Sequence, residues 1–144
     1  MIGRISAVIG GAMLLSACQS YGPPPHPLDD TSWRLADVET SGTSTQLTQE
    51  LSSRHRLTFR DGGRLVLQLD CNRGNADWSA SMPQVGNGSI SIGPVASTKA
   101  LCPRPTYGEE LAAELPTANG FTLTPDGSSL IIRASEAVYV FARD

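Results

Sequence analysis

Cys71 beside Asp70, with His55 upstream, has the residue types of a Cys–His nucleophile, in which an imidazole draws the proton from a thiol. The surroundings argue against that chemistry. His55 stands between Arg54 and Arg56 and is expected on the outward, solvated face of a strand, with Cys71 structural. Metal binding fares no better: a zinc site takes three or four convergent ligands, and beyond Cys18 the domain offers only Cys71, Cys102 and His55. No Asp-rich calcium loop is present. Gly86-Asn87-Gly88 reads as a turn, because no strand and helix frame it as a phosphate loop. Neither a metal nor a cofactor is therefore expected. The remaining chemistry is cationic, since Arg54, Arg56, Arg60 and Arg64 point outward from one hairpin, with Arg73 nearby. Guanidinium groups present forked donors to phosphate and carboxylate, so this face either meets anionic lipid heads, lipopolysaccharide or an acidic partner, or is an ordinary charged edge.

Cys18 belongs to a different chemistry. Arg4 and the apolar run over residues 5–15 are built like an export leader, and the run falls short of the roughly 20 residues a spanning helix needs. Leu15-Ser16-Ala17-Cys18 then has the order of a bacterial lipobox, in which the cysteine thiol takes a diacylglyceryl group before the leader is removed. The expectation is a leader over residues 1–17 and a membrane-lipid anchor on Cys18; the alternative is a plain secretory signal cut after Ala17. Two acyl chains hold where one binds only marginally. Gln19, where inner-membrane lipoproteins of enteric bacteria usually carry Asp, points to the outer membrane, facing the periplasm.

Residues 18–27 hold four prolines and little to bury, so they are expected to form an extended spacer with His26 exposed to solvent. Residues 28–144 suffice for one domain. Without Arg4 the balance is 10 basic to 14 acidic residues, which excludes a strongly basic nucleic-acid surface. With Cys18 consumed by lipid in an oxidising compartment, Cys71 and Cys102 are expected to be bonded; two free buried thiols are the alternative.

Alternation dominates the domain. Leu57 and Phe59, then Leu65, Leu67 and Leu69, fall on one face of two segments joined at Asp61-Gly62-Gly63, which predicts a β-hairpin whose glycines take positive φ. Similar runs occur at residues 32–38, 76–81, 89–92, 121–124, 130–133 and 138–143, with turns at Gly86-Asn87-Gly88, Asn119-Gly120 and Asp126-Gly127. One segment breaks the period: Thr106 and Glu109 have capping-box spacing, and Tyr107, Leu111 and Leu115 recur every fourth position before Pro116. The fold class is α+β: a mostly antiparallel, strongly bent sheet or small open barrel with one short helix resting on it. Trp33, Leu57, Phe59, Leu65, Leu67, Leu69, Leu111, Phe121 and Ile132 are the expected core.

In this order the residues resemble the META domain of HslJ-like heat-shock lipoproteins. Leu28 and Thr31-Ser32-Trp33-Arg34-Leu35 are similar to its opening strand, and Leu57-Thr58-Phe59 with Gly62 to the next strand and turn. Asp70-Cys71-Asn72-Arg73-Gly74 resembles its Cys-Asn motif, with Asp70 where many members have glycine and Trp78 where tyrosine is frequent. Ser97-Thr98-Lys99-Ala100-Leu101-Cys102 resembles its Thr-x-x-x-Cys motif, and Phe121-Thr122-Leu123 and Leu130-Ile131-Ile132 follow in family order. The resemblance implies a bent antiparallel sheet with one helix, no established enzymatic activity, and links to heat shock, drug tolerance or motility.

The expected function is a non-catalytic envelope lipoprotein that supports envelope integrity or stress tolerance through an envelope-protein or cell-wall partner. The alternative is an envelope-anchored inhibitor of a lysozyme or protease. It needs a protruding loop, for which residues 40–50 and 82–88 are the candidates.

Overall fold

The computed structural model describes Gly3, Cys18 and residues 21–144; Gln19 and the expected leader, Gly3 apart, lie outside the described residues. The alternating segments become β1 (Thr31–Thr40), β2 (Thr43–Gln46), β3 (His55–Arg60), β4 (Arg64–Leu69), β5 (Asn72–Ala80), β6 (Asn87–Ile92), β7 (Ala96–Ser97), β8 (Gly120–Leu123), β9 (Ser129–Arg133) and β10 (Ala137–Arg143). Two helices interrupt them, α1 (Gln49–Ser53) and α2 (Gly108–Glu114).

Eight strands, all antiparallel, close into a ring in the order β1-β3-β4-β5-β6-β8-β9-β10. Closure comes from β1, which pairs with β3 through its first residues and with β10 from Trp33↔Arg143 to Thr40↔Ala137, with a bulge between Leu35 and Asp37. The barrel is therefore closed where an open one was also admitted. Sealing the seam satisfies the backbone groups that two edge strands would have left exposed. β2 and β7 are short additions on β1 and β5.

The expected hairpin forms as β3 and β4 in the register Leu57↔Leu67, and Gly62 and Gly63 take φ of 74° and 78°. Its inward residues meet Trp33, Phe121, Ile132, Tyr139 and Phe141 in a filled interior; every residue expected in the core is at most 1% exposed.

Different segments cover the two ends. At one, residues 26–30 fold over the opening: Leu28 is fully buried and the His26 ring meets Trp78 and Phe121 edge-on, with centroids 5.5 and 5.8 Å apart. His26 Nε2 also lies 2.8 Å from the Ser81 carbonyl. The expectation of a free, solvated His26 is corrected, because its ring covers apolar surface that the strands leave open. At the other end α2 lies across the mouth with Leu111 and Leu115 fully buried, as its four-residue spacing requires. Gly108 lets it come close, since a Cβ there would stand 2.5 Å from the Leu69 carbonyl oxygen.

Two expectations about helices change. The capping box does not form, because α2 starts at Gly108 after Tyr107, whose amide donates to the His55 ring. And α1 arises in the Ser/Thr-rich segment, with Thr48 as its N-cap accepting from the Leu51 amide at 3.2 Å.

Candidate functional site

Four of the five family-motif residues, Cys71, Asn72, Thr98 and Cys102, converge at the mouth covered by α2. β4 turns into β5 through Asp70, whose φ of +62° lies in the left-handed region that glycine takes most cheaply. Such a backbone fits the glycine that the resemblance to the META pattern implies at this position. Cys71 follows and is bonded to Cys102, with Cα atoms 5.6 Å apart. The alternative of two free thiols is set aside.

Asn72 is the centre of a clasp. Its Nδ2 donates to the Ala100 carbonyl at 2.8 Å, while its Oδ1 accepts from Thr98 Oγ1 and from the Ala100 amide, both at 2.8 Å. The Thr98 hydroxyl in turn accepts from the Arg73 amide at 3.1 Å. A buried amide so fully engaged holds a loop in one geometry, because any movement leaves polar groups without partners. Cys71, Asn72, Thr98 and Cys102 are thus one device that fixes residues 96–102 against β5. The remaining motif residue, Trp33, acts at the opposite end: its indole donates to Thr31 Oγ1 at 2.7 Å, and that hydroxyl donates to the Leu28 carbonyl at 2.6 Å.

Between the clasped loop and α2 lies a cleft of about 360 Å³. Leu69, Val95 and Ala112 give it an apolar lining, and Thr98, Lys99 and Glu109 add polar and charged groups. Its volume suits one small molecule or a partner's side chain. In the sequence Glu109 was read only as a helix-capping residue and Lys99, the sole lysine of the chain, only as an interior position of the Thr-x-x-x-Cys motif; neither was expected to line a cleft.

His55 is the main correction among the candidate residues. It is fully buried, in line with Leu57 and Phe59 instead of outward with Arg54 and Arg56. Nδ1 lies 2.8 Å from the Leu51 carbonyl, to which it donates, and Nε2 accepts the Tyr107 amide at 3.0 Å. The ring bolts α1 and the start of α2 to β3. With both nitrogens committed and Cys71 oxidised, neither is free for Cys–His chemistry. Burial lowers the His55 pKa, partly offset by the Leu51 carbonyl and Asp70.

That direction has a consequence for stability. Unfolding releases an imidazole of ordinary pKa, 6.5, so the unfolded chain binds the extra proton first as the pH falls. His55 therefore makes the fold less stable below about pH 6.5, by up to about 1.4 kcal/mol per pH unit, and has no such effect above it. Urea melts of wild type and His55→Gln between pH 7.5 and 5 should differ in slope, with the variant lacking this contribution; parallel slopes would refute the assignment.

The arginines are divided between two jobs. Arg54 pairs with Asp70 at 3.5 Å and Glu50 at 3.8 Å, and Arg56 and Arg34 both hold the Asp144 carboxylate. Arg60 and Arg64 face each other across the turn, exposed and in no ion pair among the described residues. Arg73 is exposed on β5. Of the two segments able to protrude, residues 40–50 are largely taken up by β2 and α1, whereas residues 82–88 form a projecting hairpin. Among the described residues Cys18 is the free cysteine, and it is exposed.

Comparison with known proteins agrees with this architecture. A protein from Burkholderia xenovorans, solved by NMR, superposes with a TM-score of 0.57 at 18% identity, covering 90% of this chain and 96% of its own. The crystal structure of a DUF4847 family protein from Bacteroides vulgatus superposes with a TM-score of 0.54 at 13% identity, over 81% and 94%. At such identities these likenesses speak for the fold alone. No match was found among curated proteins. The META domain family matches residues 26–144, from the histidine that closes one end of the barrel through β10, and the chain belongs to that family.

Proposed function

We propose that the protein is a lipid-anchored, non-catalytic module of the bacterial cell envelope, attached through Cys18, that supports envelope integrity or tolerance of heat and antibiotic stress through contacts with an envelope protein or the cell wall. The observation that carries this reading is Leu15-Ser16-Ala17-Cys18 ahead of a folded domain whose other two cysteines are bonded to each other. A disulfide suits an exported protein, and Cys18 alone remains for lipid. The short proline-rich link leaves the domain beside its membrane, on the outer-membrane side that Gln19 suggests. The clasped loop and its cleft supply a rigid surface for a partner, and neither buried His55 nor the bonded Cys71 supports a catalytic alternative.

The test is the intact mass of protein extracted from membranes, with and without reductant. The expected mass is that of the chain from Cys18 plus its diacylglyceryl group and any further acyl chain, rising by two hydrogens when the reductant opens the Cys71–Cys102 bond in the unfolded protein. Cys18→Ser should move the protein out of the membrane fraction and abolish any tolerance to heat or antibiotic that the wild type confers. An unmodified mass would end the anchoring proposal, and unchanged tolerance in the released variant would end the envelope role. Inhibition of a panel of lysozymes and proteases by the soluble domain would instead favour an inhibitor.

A further inference from the structure

We propose that the barrel end closed by residues 26–30 is seated in the bilayer surface, with Met82 and Val85 inserted among the lipid headgroups and upper acyl chains. This deepens the anchoring reading above and rests on it.

The argument starts at the tether. From Cys18 to His26 the chain reaches at most about 25 Å in polyproline geometry, at roughly 3.1 Å per residue. It ends where His26 contacts the Ser81 carbonyl and the Trp78 and Phe121 rings. Met82, the next residue after Ser81, is half exposed, and the hairpin it begins ends in Val85, which is 99% exposed. The acyl chains and this apolar tip therefore leave the domain at the same place.

The tip itself is strained and braced. Gln84 and Asn87 exchange backbone bonds of 2.8 and 3.0 Å around a two-residue turn, with φ of +50° at Val85 and +79° at Gly86. Asn or Gly suits the first of these positions, and a β-branched residue there is an outlier. Among the described residues the Val85 side chain has no packing contact that compensates for it, since Val85 is 99% exposed, and only its carbonyl is engaged, by Asn87 Nδ2 at 3.2 Å. Strain of this kind is retained where an outside contact needs the side chain. The turn cannot fold away. The Leu123 amide donates to the Gly86 carbonyl at 2.8 Å, a Cβ at Gly86 would stand 2.4 Å from the Leu123 carbonyl oxygen, and Thr122 Oγ1 donates to Asn87 Oδ1 at 2.7 Å.

Charge does not explain this surface. Arg60 and Arg64 at this end are outnumbered by Asp61, Asp77, which faces Arg64 across the strands, Asp126, and Asp29 and Asp30 of the covering segment itself. Shallow apolar insertion, on the scale of about 5–10 Å for interfacial segments, fits it better than attraction to anionic lipid.

The experiment uses the full chain, extracted with its anchor and reconstituted into vesicles of phosphatidylethanolamine and phosphatidylglycerol. These carry phosphatidylcholine brominated near the headgroup end of one acyl chain, which quenches tryptophan only at that depth. Val85→Trp is compared with Leu101→Trp. Leu101 is 91% exposed beside Cys102, at the other end of nine-residue β5 and so about 30 Å away. Trp33 and Trp78 are buried and give a common background. The tryptophan at the hairpin tip should lose most of its emission and shift to shorter wavelength, while the one at position 101 should keep its aqueous spectrum. Met82→Trp gives a second reading of the same end should the tip variant misfold. Equal, weak quenching at both ends of a protein that floats with vesicles and carries acyl mass would overturn the seating and leave the anchor standing. Failure to float, with an unmodified mass, would remove both.

Discussion

Replacing Cys71 and Cys102 together by serine should lower the unfolding free energy by about 3–4 kcal/mol in the chain-entropy account of cross-links, an upper figure for a bond closing a 31-residue separation. The loss arises mainly in the unfolded chain, which gains freedom over the whole of β5, β6 and β7. The folded state keeps Asn72 and its bonds to Thr98 and Ala100, so the clasp should hold its shape in the variant. Urea titration should therefore give a lower midpoint and a larger dependence on denaturant, since the unlinked chain exposes more surface. The amide signals of residues 96–102 should remain close to those of the wild type. An unchanged midpoint would mean that Asn72 alone fixes this loop; a collapsed loop would mean that the bond, not the amide, holds the site.

What the sequence disclosed divides by distance along the chain. The β3–β4 hairpin was legible because turn, register and buried face all lie within a few residues, and Leu57, Phe59, Leu65, Leu67 and Leu69 sit where their alternation places them. The β1–β10 seam was not legible, because pairing Trp33 with Arg143 leaves no local mark at either end. His55 failed for another reason. Period two from Leu57 puts it inward, but the flanking Arg54 and Arg56 suggested a polar run, although an imidazole with both nitrogens satisfied is readily buried. The motif around Cys71 and Cys102 was visible as letters. Its meaning, an amide sewing a loop to β5, needed the side-chain geometry, since spacing alone does not say which carbonyl Asn72 meets. Val85 carried no signal except position: it precedes Gly86-Asn87 in a turn where its type is unusual.

Those two ends of the barrel make α2 a sensitive place to cut. With only seven residues, α2 is far below the length at which an isolated helix holds in water, so its stability comes from what it covers. Leu111 is fully buried beneath it, Gly108 presses on the Leu69 carbonyl, and Glu110 accepts the Tyr139 hydroxyl at 2.9 Å. Leu111→Asp would place a carboxylate in this apolar contact with no cationic partner, a change expected to cost more than about 4 kcal/mol. Two responses are open to the chain, and they read differently. If α2 lifts away while the strands stay paired, the barrel should keep its far-ultraviolet spectrum, lose protection at the Tyr107 and Leu111 amides, and lose the cleft between α2 and residues 96–102. If the helix is integral to the closed barrel, the variant should unfold outright. The second outcome is expected, because the Tyr107 amide is bonded to His55 within β3 and Leu115 is buried with Leu111. Ala113→Asp on the exposed side of the same helix should change stability by no more than about 0.5 kcal/mol. A folded Leu111→Asp protein with normal amide protection would show that the mouth of the barrel does not depend on this helix.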